Sequence, residues 1–205
     1  MRYARVSLLL FLIAPLLSGC GGDSSELDPQ VGAEVARVAQ PVAAELLRTL
    51  VGRLSAAMEE GGAVHAIGFC SEEALSLTRS VQSEFPGDFI LKRTSYRFRN
   101  PLNAPDEAEE EALLYFENAV LAGGPPPSSF VQRVSDEEYR YYRPLIVADL
   151  CLQCHGDPEA MDPEVVEALA QDYPEDLATG YEAGDFRGVV RVSVPATEVS
   201  PTGQG

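Results

Sequence analysis

Phe130-Val131-Gln132-Arg133-Val134 and Tyr139-Arg140-Tyr141-Tyr142-Arg143-Pro144-Leu145-Ile146-Val147 are two runs rich in β-branched and aromatic residues. The polar residues between them, Ser135-Asp136-Glu137-Glu138, read as a turn, so the stretch predicts a β-hairpin. Upstream the pattern is helical. Apolar residues at Val35, Val38, Val42, Leu46, Leu47, Leu50, Leu54 and Met58 predict a long amphipathic helix over 31–60, ended by Gly61-Gly62. A second helix is expected over 63–85, before Pro86-Gly87, and a strand over 89–98. Asp106 and Glu109 form a D-x-x-E capping box for a third helix reaching residue 121, closed by Gly123-Gly124-Pro125-Pro126-Pro127. Downstream, 163–172 reads as a short helix and 188–194 as a final strand. Helices first, then short strands that pair antiparallel, define an α+β domain.

The hairpin runs directly into Cys151-Leu152-Gln153-Cys154-His155. This C-x-x-C-H spacing is what covalent attachment of one c-type haem requires: each thiol adds across a porphyrin vinyl group, and the adjoining histidine ligates the iron. A dithiol redox centre would open a helix after a strand in a βαβ pattern, whereas here Gly156-Asp157-Pro158 follows as a turn. A zinc site needs a second pair of ligands, and no other C-x-x-C or H-x-x-x-H occurs in a chain with four cysteines and two histidines.

At the N-terminus, Met1-Arg2-Tyr3-Ala4-Arg5 is a basic n-region and residues 6–17 an apolar segment too short to span a membrane. Leu17-Ser18-Gly19-Cys20 resembles the lipobox of bacterial lipoproteins, which implies cleavage before Cys20 and lipidation of that residue. The expected organisation is a signal peptide over 1–19, a tether over 20–34, one haem domain over 35–195 and a disordered tail over 196–205. The tether spans at most roughly 50 Å when extended, so the domain would lie close to the periplasmic side of a bacterial membrane, held by lipid only.

The formal charge of the chain is −17. A field of that sign argues against nucleic acid and against binding to anionic headgroups, and it permits a basic redox partner.

With His155 as one axial ligand, the other candidates are His65, Met58, Met161 and Cys70. Cys20 is assigned to lipid and Cys151 and Cys154 to haem, which leaves Cys70 without a disulfide partner, and His65 weighs equally with it. Alternation along a strand over 89–98 would put Arg93, Arg97 and Arg99 on one face, where guanidinium groups suit haem propionates. Tyr141 and Tyr142 are expected in the core.

Arg93-Thr94-Ser95, Arg99-Asn100-Pro101-Leu102-Asn103-Ala104-Pro105-Asp106, the C-x-x-C-H-G run and Gly180-Tyr181-Glu182-Ala183-Gly184-Asp185-Phe186-Arg187-Gly188 occur in that order, with Tyr173-Pro174 and Asp176 between them. On these motifs the chain resembles the PAS-like mono-haem c-type domains of bacterial haem sensors and small cyanobacterial cytochromes, over about residues 35 to 195. The resemblance implies a PAS-like antiparallel sheet flanked by helices. It also implies a cysteine on an early helix as second iron ligand, and the residue at that place, in Ile67-Gly68-Phe69-Cys70, is Cys70. The Gly184–Gly188 segment reads as a turn.

Two functions follow. One is a low-potential cytochrome passing single electrons to a redox partner. The other is a redox or diatomic-gas sensor acting through a separate signalling partner. Without a base or nucleophile constellation, catalysis is not expected.

Overall fold

The computed structural model describes residues 27–199, so the expected signal peptide and lipidated Cys20 lie outside the described residues. Helix α1 spans Pro29–Glu72. Asp28 caps it, accepting from the Gln30 amide at 2.7 Å, and Pro29 supplies a first position that needs no amide. The helix expected from residue 31 thus begins two residues earlier, because the cap and proline start it ahead of its apolar stripe. That stripe is Val35, Ala39, Val42, Ala43, Leu46 and Leu50, all buried.

The expected break falls at Gly62, whose φ of 73° and ψ of −167° are left-handed and non-helical. Beyond it, Arg53 pairs with Glu73 at 3.3 Å across the bend. The second expected helix, 63–85, is divided at Glu73: its first half completes α1, and α2 covers Ala74–Ser83. Among the described residues no helix is long and apolar enough to cross a membrane.

Four strands form one antiparallel sheet in the order β1-β4-β3-β2: β1 Ile90–Thr94, β2 Phe130–Arg133, β3 Glu138–Ile146 and β4 Phe186–Pro195. The predicted hairpin is β2–β3. Strand β4 lies inside the sheet, and alternation sends its side chains to two covered faces. Val190, Val192 and Val194 join the α1 stripe with Tyr141, while Val189 packs with Tyr142 and with Ala112, Leu113 and Phe116 of α3, Glu107–Leu121. Both tyrosines are core residues.

Strand β1 is shorter than the expected 89–98. Gly188, at a φ of 144°, brings β4 so close that a Cβ there would sit 2.3 Å from the Thr94 carbonyl oxygen. Only glycine admits that approach, and from Ser95 onward the chain leaves the ladder.

The capping box forms as read: the Glu109 amide donates to Asp106 Oδ1, and Glu109 Oε2 accepts from the Asp106 amide, both at 2.9 Å. Asp106 also receives Arg140, which pairs with Glu138 at 2.8 Å. Burial pushes the Asp106 carboxyl up, but the Glu109 amide and the Arg140 guanidinium outweigh it and hold it below the usual range. Burial opposes Ser193 and Arg140 in the same way at Glu138, again with a net lowering.

A carboxylate with a depressed folded pKa adds stability that is complete above its unfolded value, about 4, and is lost as pH falls through the folded one. Arg140→Ala is therefore expected to cost about 1 kcal/mol at pH 7, discounted for solvent at the exposed carboxylates, with the deficit shrinking from about pH 5 towards 2. Urea unfolding of both chains across that range checks it; a constant deficit would assign the loss to packing.

Candidate functional site

A 3-10 turn at Asp149–Cys151 leads into α4, Leu152–His155, so the five-residue motif is folded as one helical stretch. Its two thiols face different neighbours. Cys154 packs against Ile67, Val165, Leu169 and Tyr173, while Cys151 packs with Leu152 against Val147, Ala178 and Tyr181. Both are free and half-buried, as is Cys70.

His155 Nδ1 lies 2.6 Å from the Ala178 carbonyl oxygen. That oxygen can only accept, so Nδ1 carries the proton and the Nε2 lone pair is left for a ligand. Burial, then the positive charges of Arg99, Arg187 and Arg97, pull the His155 pKa down to about 3. The imidazole is neutral at ordinary pH, the state that binds metal.

His155 faces a cavity of about 220 Å³ shared with Cys70, Arg93, Arg99, Tyr173 and Arg187. Cys70 follows Ile67 by one helical turn on α1 beyond the Gly62 bend, which sets its thiol on the side of α4 and helix α5, Pro163–Asp172. Burial pushes its pKa up, and Arg93 and Arg99 pull against that. The other three ligand candidates lie elsewhere. His65 is 54 % exposed beside Glu60. Met161 packs in the Ile67–Tyr173 cluster, and Met58 lines no part of the cavity. Among the described residues no group of three or more His, Cys, Asp or Glu side chains is placed to hold a metal ion.

The three arginines are not brought to one face, because the strand that would align them ends at Thr94. Arg93 lines the cavity and has no ion-pair partner among the described residues. Arg99 also reaches the cavity, but its Nε donates to Asp176 Oδ2 at 3.0 Å and its Nη2 to the carbonyls of Cys154 and Ala178. It ties the motif helix to the segment at 176–178. Arg97 is exposed and stacks over the Tyr181 ring at 4.0 Å.

Arg187 replaces it at the cavity. It stands on β4, where a turn was expected over 184–188, and its Nη1 donates to the Arg97 carbonyl at 2.9 Å. Burial lowers its pKa. Tyr173 also escaped the sequence reading as a wall of the cavity. Both residues stand within motifs that carry the resemblance, the available signal for them.

An imidazole with a free Nε2 and a thiol lining the same cavity, two further thiols on the imidazole's own helical stretch and two guanidinium groups without carboxylate partners among the described residues make a donor set that a haem fits. The molecule is thus an α+β domain with its sheet covered by helices on both faces and a C-x-x-C-H helix closing a cavity. The chain belongs to the Tll0287-like family, whose model matches residues 25–195. Among solved structures it is similar to that of the cyanobacterial heme-protein Tll0287, at 22% identity and a TM-score of 0.59. That match covers 82% of this chain and 97% of the other, and it is a likeness of fold. No curated protein matches the chain.

Proposed function

We propose that this chain is a c-type haem protein that carries single electrons at low potential, exported and lipid-anchored through Cys20 on the periplasmic side of a bacterial membrane. The observation that carries the reading is the cavity that His155 and Cys70 both line, with His155 on the same helical stretch as the two motif thiols. Haem binding by the similar heme-protein Tll0287 and the shared family add to it.

In this reading Cys151 and Cys154 would attach the porphyrin, and His155 Nε2 and the Cys70 sulfur would hold its iron. Arg93 and Arg187 would hold the propionates, with Arg99 bracing the motif helix. Haem supplies a one-electron iron couple, and a thiolate donor sets it low by favouring the ferric state. The chain's own part is to keep the imidazole neutral and its Nδ1 proton held, and to shield both donors from water. No enzyme chemistry is assigned.

A second reading, a redox or gas sensor with a PAS-like sheet, has its own support. Cys70 stands on a short helical piece between the non-helical Gly62 and the start of α2 at Ala74, an element able to move when the thiol leaves.

The test is the full chain coexpressed with haem-attachment machinery. Haem that stays with the polypeptide on denaturation is expected, and its absence overturns the reading. Carbon monoxide added to the reduced protein then separates the two functions: an unmoved Soret band means both donors hold and favours electron transfer, whereas a shifted band favours sensing.

A further inference from the structure

We propose that Asp176 is a positioning residue for the His155 imidazole, acting through the Ala178 carbonyl, an inference that rests on the haem reading above. Asp176 Oδ1 accepts the Ala178 amide at 2.7 Å, and Oδ2 accepts Arg99 Nε at 3.0 Å. Both side chains are nearly buried, at 10% and 12% exposure. The same Arg99 donates through Nη2 to the Ala178 carbonyl at 3.2 Å and to that of Cys154. Ala178 O thus has two donors, Arg99 and His155 Nδ1, and one carboxylate anchors both the backbone that carries the oxygen and the arginine that competes for it.

A buried ion pair of this kind adds little stability over an apolar pair of equal volume, so its value lies in geometry. Backbone bonds fix the chain on either side of Ala178, from the Leu177 amide to the Phe98 carbonyl at 3.0 Å and from the Gly180 amide to the Gly156 carbonyl at 2.6 Å. Within that frame one Asp176 oxygen holds the Ala178 amide and the other holds the arginine fork. The hydrogen bond at the outer nitrogen of a ligating histidine sets ring orientation and donor strength. Neutralising Asp176 leaves the Arg99 charge unopposed beside the Ala178 carbonyl, weakens its hold on the Nδ1 proton, and makes His155 a poorer donor to iron.

The experiment compares Asp176→Asn, Arg99→Lys and Glu175→Gln in the full chain. Asp176→Asn preserves shape, Arg99→Lys preserves charge but not the fork, and Glu175→Gln removes an exposed neighbouring charge outside the network. With haem attached, Asp176→Asn is expected to raise the midpoint potential. Asp176→Asn and Arg99→Lys should both change the ferric EPR g-values, which report imidazole orientation, while Glu175→Gln changes neither quantity. Unchanged g-values in both network variants, or an equal potential shift in Glu175→Gln, overturn the proposal.

A second readout needs no iron. Nitrogen-15 NMR of the chain prepared without haem has two imidazoles to resolve, His65 and His155. Wild type should show His155 as the Nδ1-protonated tautomer, and the network variants a mixture. A preparation lacking covalent haem sinks the haem reading while this comparison still decides the role of Asp176. Should Asp176→Asn fail to fold, Arg99→Lys carries the same comparison.

Discussion

With haem attached as proposed, Cys70→Ser is expected to leave it in place, change the ferric spectrum and raise the midpoint potential by on the order of 0.1 V or more, inside the roughly 0.8 V range that axial ligation sets. In the proposed haem protein attachment would survive because it would depend on Cys151 and Cys154, which stand on the 3-10 turn and α4 and not on α1. The spectrum changes because, of the four side chains able to serve opposite His155, Cys70 is the one that lines its cavity. A serine hydroxyl keeps the volume but is a poor iron donor. Losing a thiolate removes the negative charge that favours the ferric state. An absorption spectrum and a redox titration check this together, and a ferric spectrum equal to wild type removes Cys70 as a ligand.

The largest expected effect on stability is that of Glu109→Ala, about 3–5 kcal/mol. Glu109 is fully buried, and its Oε2 receives Lys92 Nζ at 2.6 Å as well as the Asp106 amide. Its Oε1 lies 3.4 Å from Arg191 Nε, close enough for charge attraction, but neither atom has a hydrogen-bond partner among the described residues. Alanine would leave Lys92 and Arg191 facing one another across a void under α3 and would open the capping box. In a domain of this size that corresponds to a fall in Tm of about 10 °C. Replacing Lys92, Glu109 and Arg191 together by apolar residues of similar volume should cost much less, because the penalty comes from the stranded charges. Thermal and denaturant unfolding of the single and triple variants decide it; a loss below about 1 kcal/mol for Glu109→Ala would show that water reaches the cations.

The features that could be read from the chain are those whose cause is local. The C-x-x-C-H run, the Asp106–Glu109 box, the break at Gly62 and the β2–β3 hairpin each follow from a few consecutive residues. Their spacing decides hydrogen bonds and side-chain direction within a turn or two. The α+β class followed from the same signals.

Misreadings arose where periodicity was carried past the end of an element. Arg93, Arg97 and Arg99 would share a face only while β1 lasts, and β1 stops at Thr94 where β4 closes in at Gly188. The helix expected to end at Gly61-Gly62 instead continues past the bend to Glu72, because residues 63–72 resume helical hydrogen bonding beyond Gly62. Arg187 looked like turn material because its partners at the cavity come from residues far away in the chain.

The sequence by itself determined which chemical groups the protein owns and how they are spaced: two thiols and an imidazole within five residues, and a spare cysteine on an early helix. Only the tertiary structure decided that Cys70, and not His65, Met58 or Met161, shares a cavity with His155, and that Arg187 rather than Arg97 lines it. The reason is physical. Side-chain direction within an element repeats with a fixed period, but the meeting of distant elements depends on the bend at Gly62, the β1–β4 register and the hydrogen bonds tying residues 176–178 to the motif helix, none of which a local period encodes.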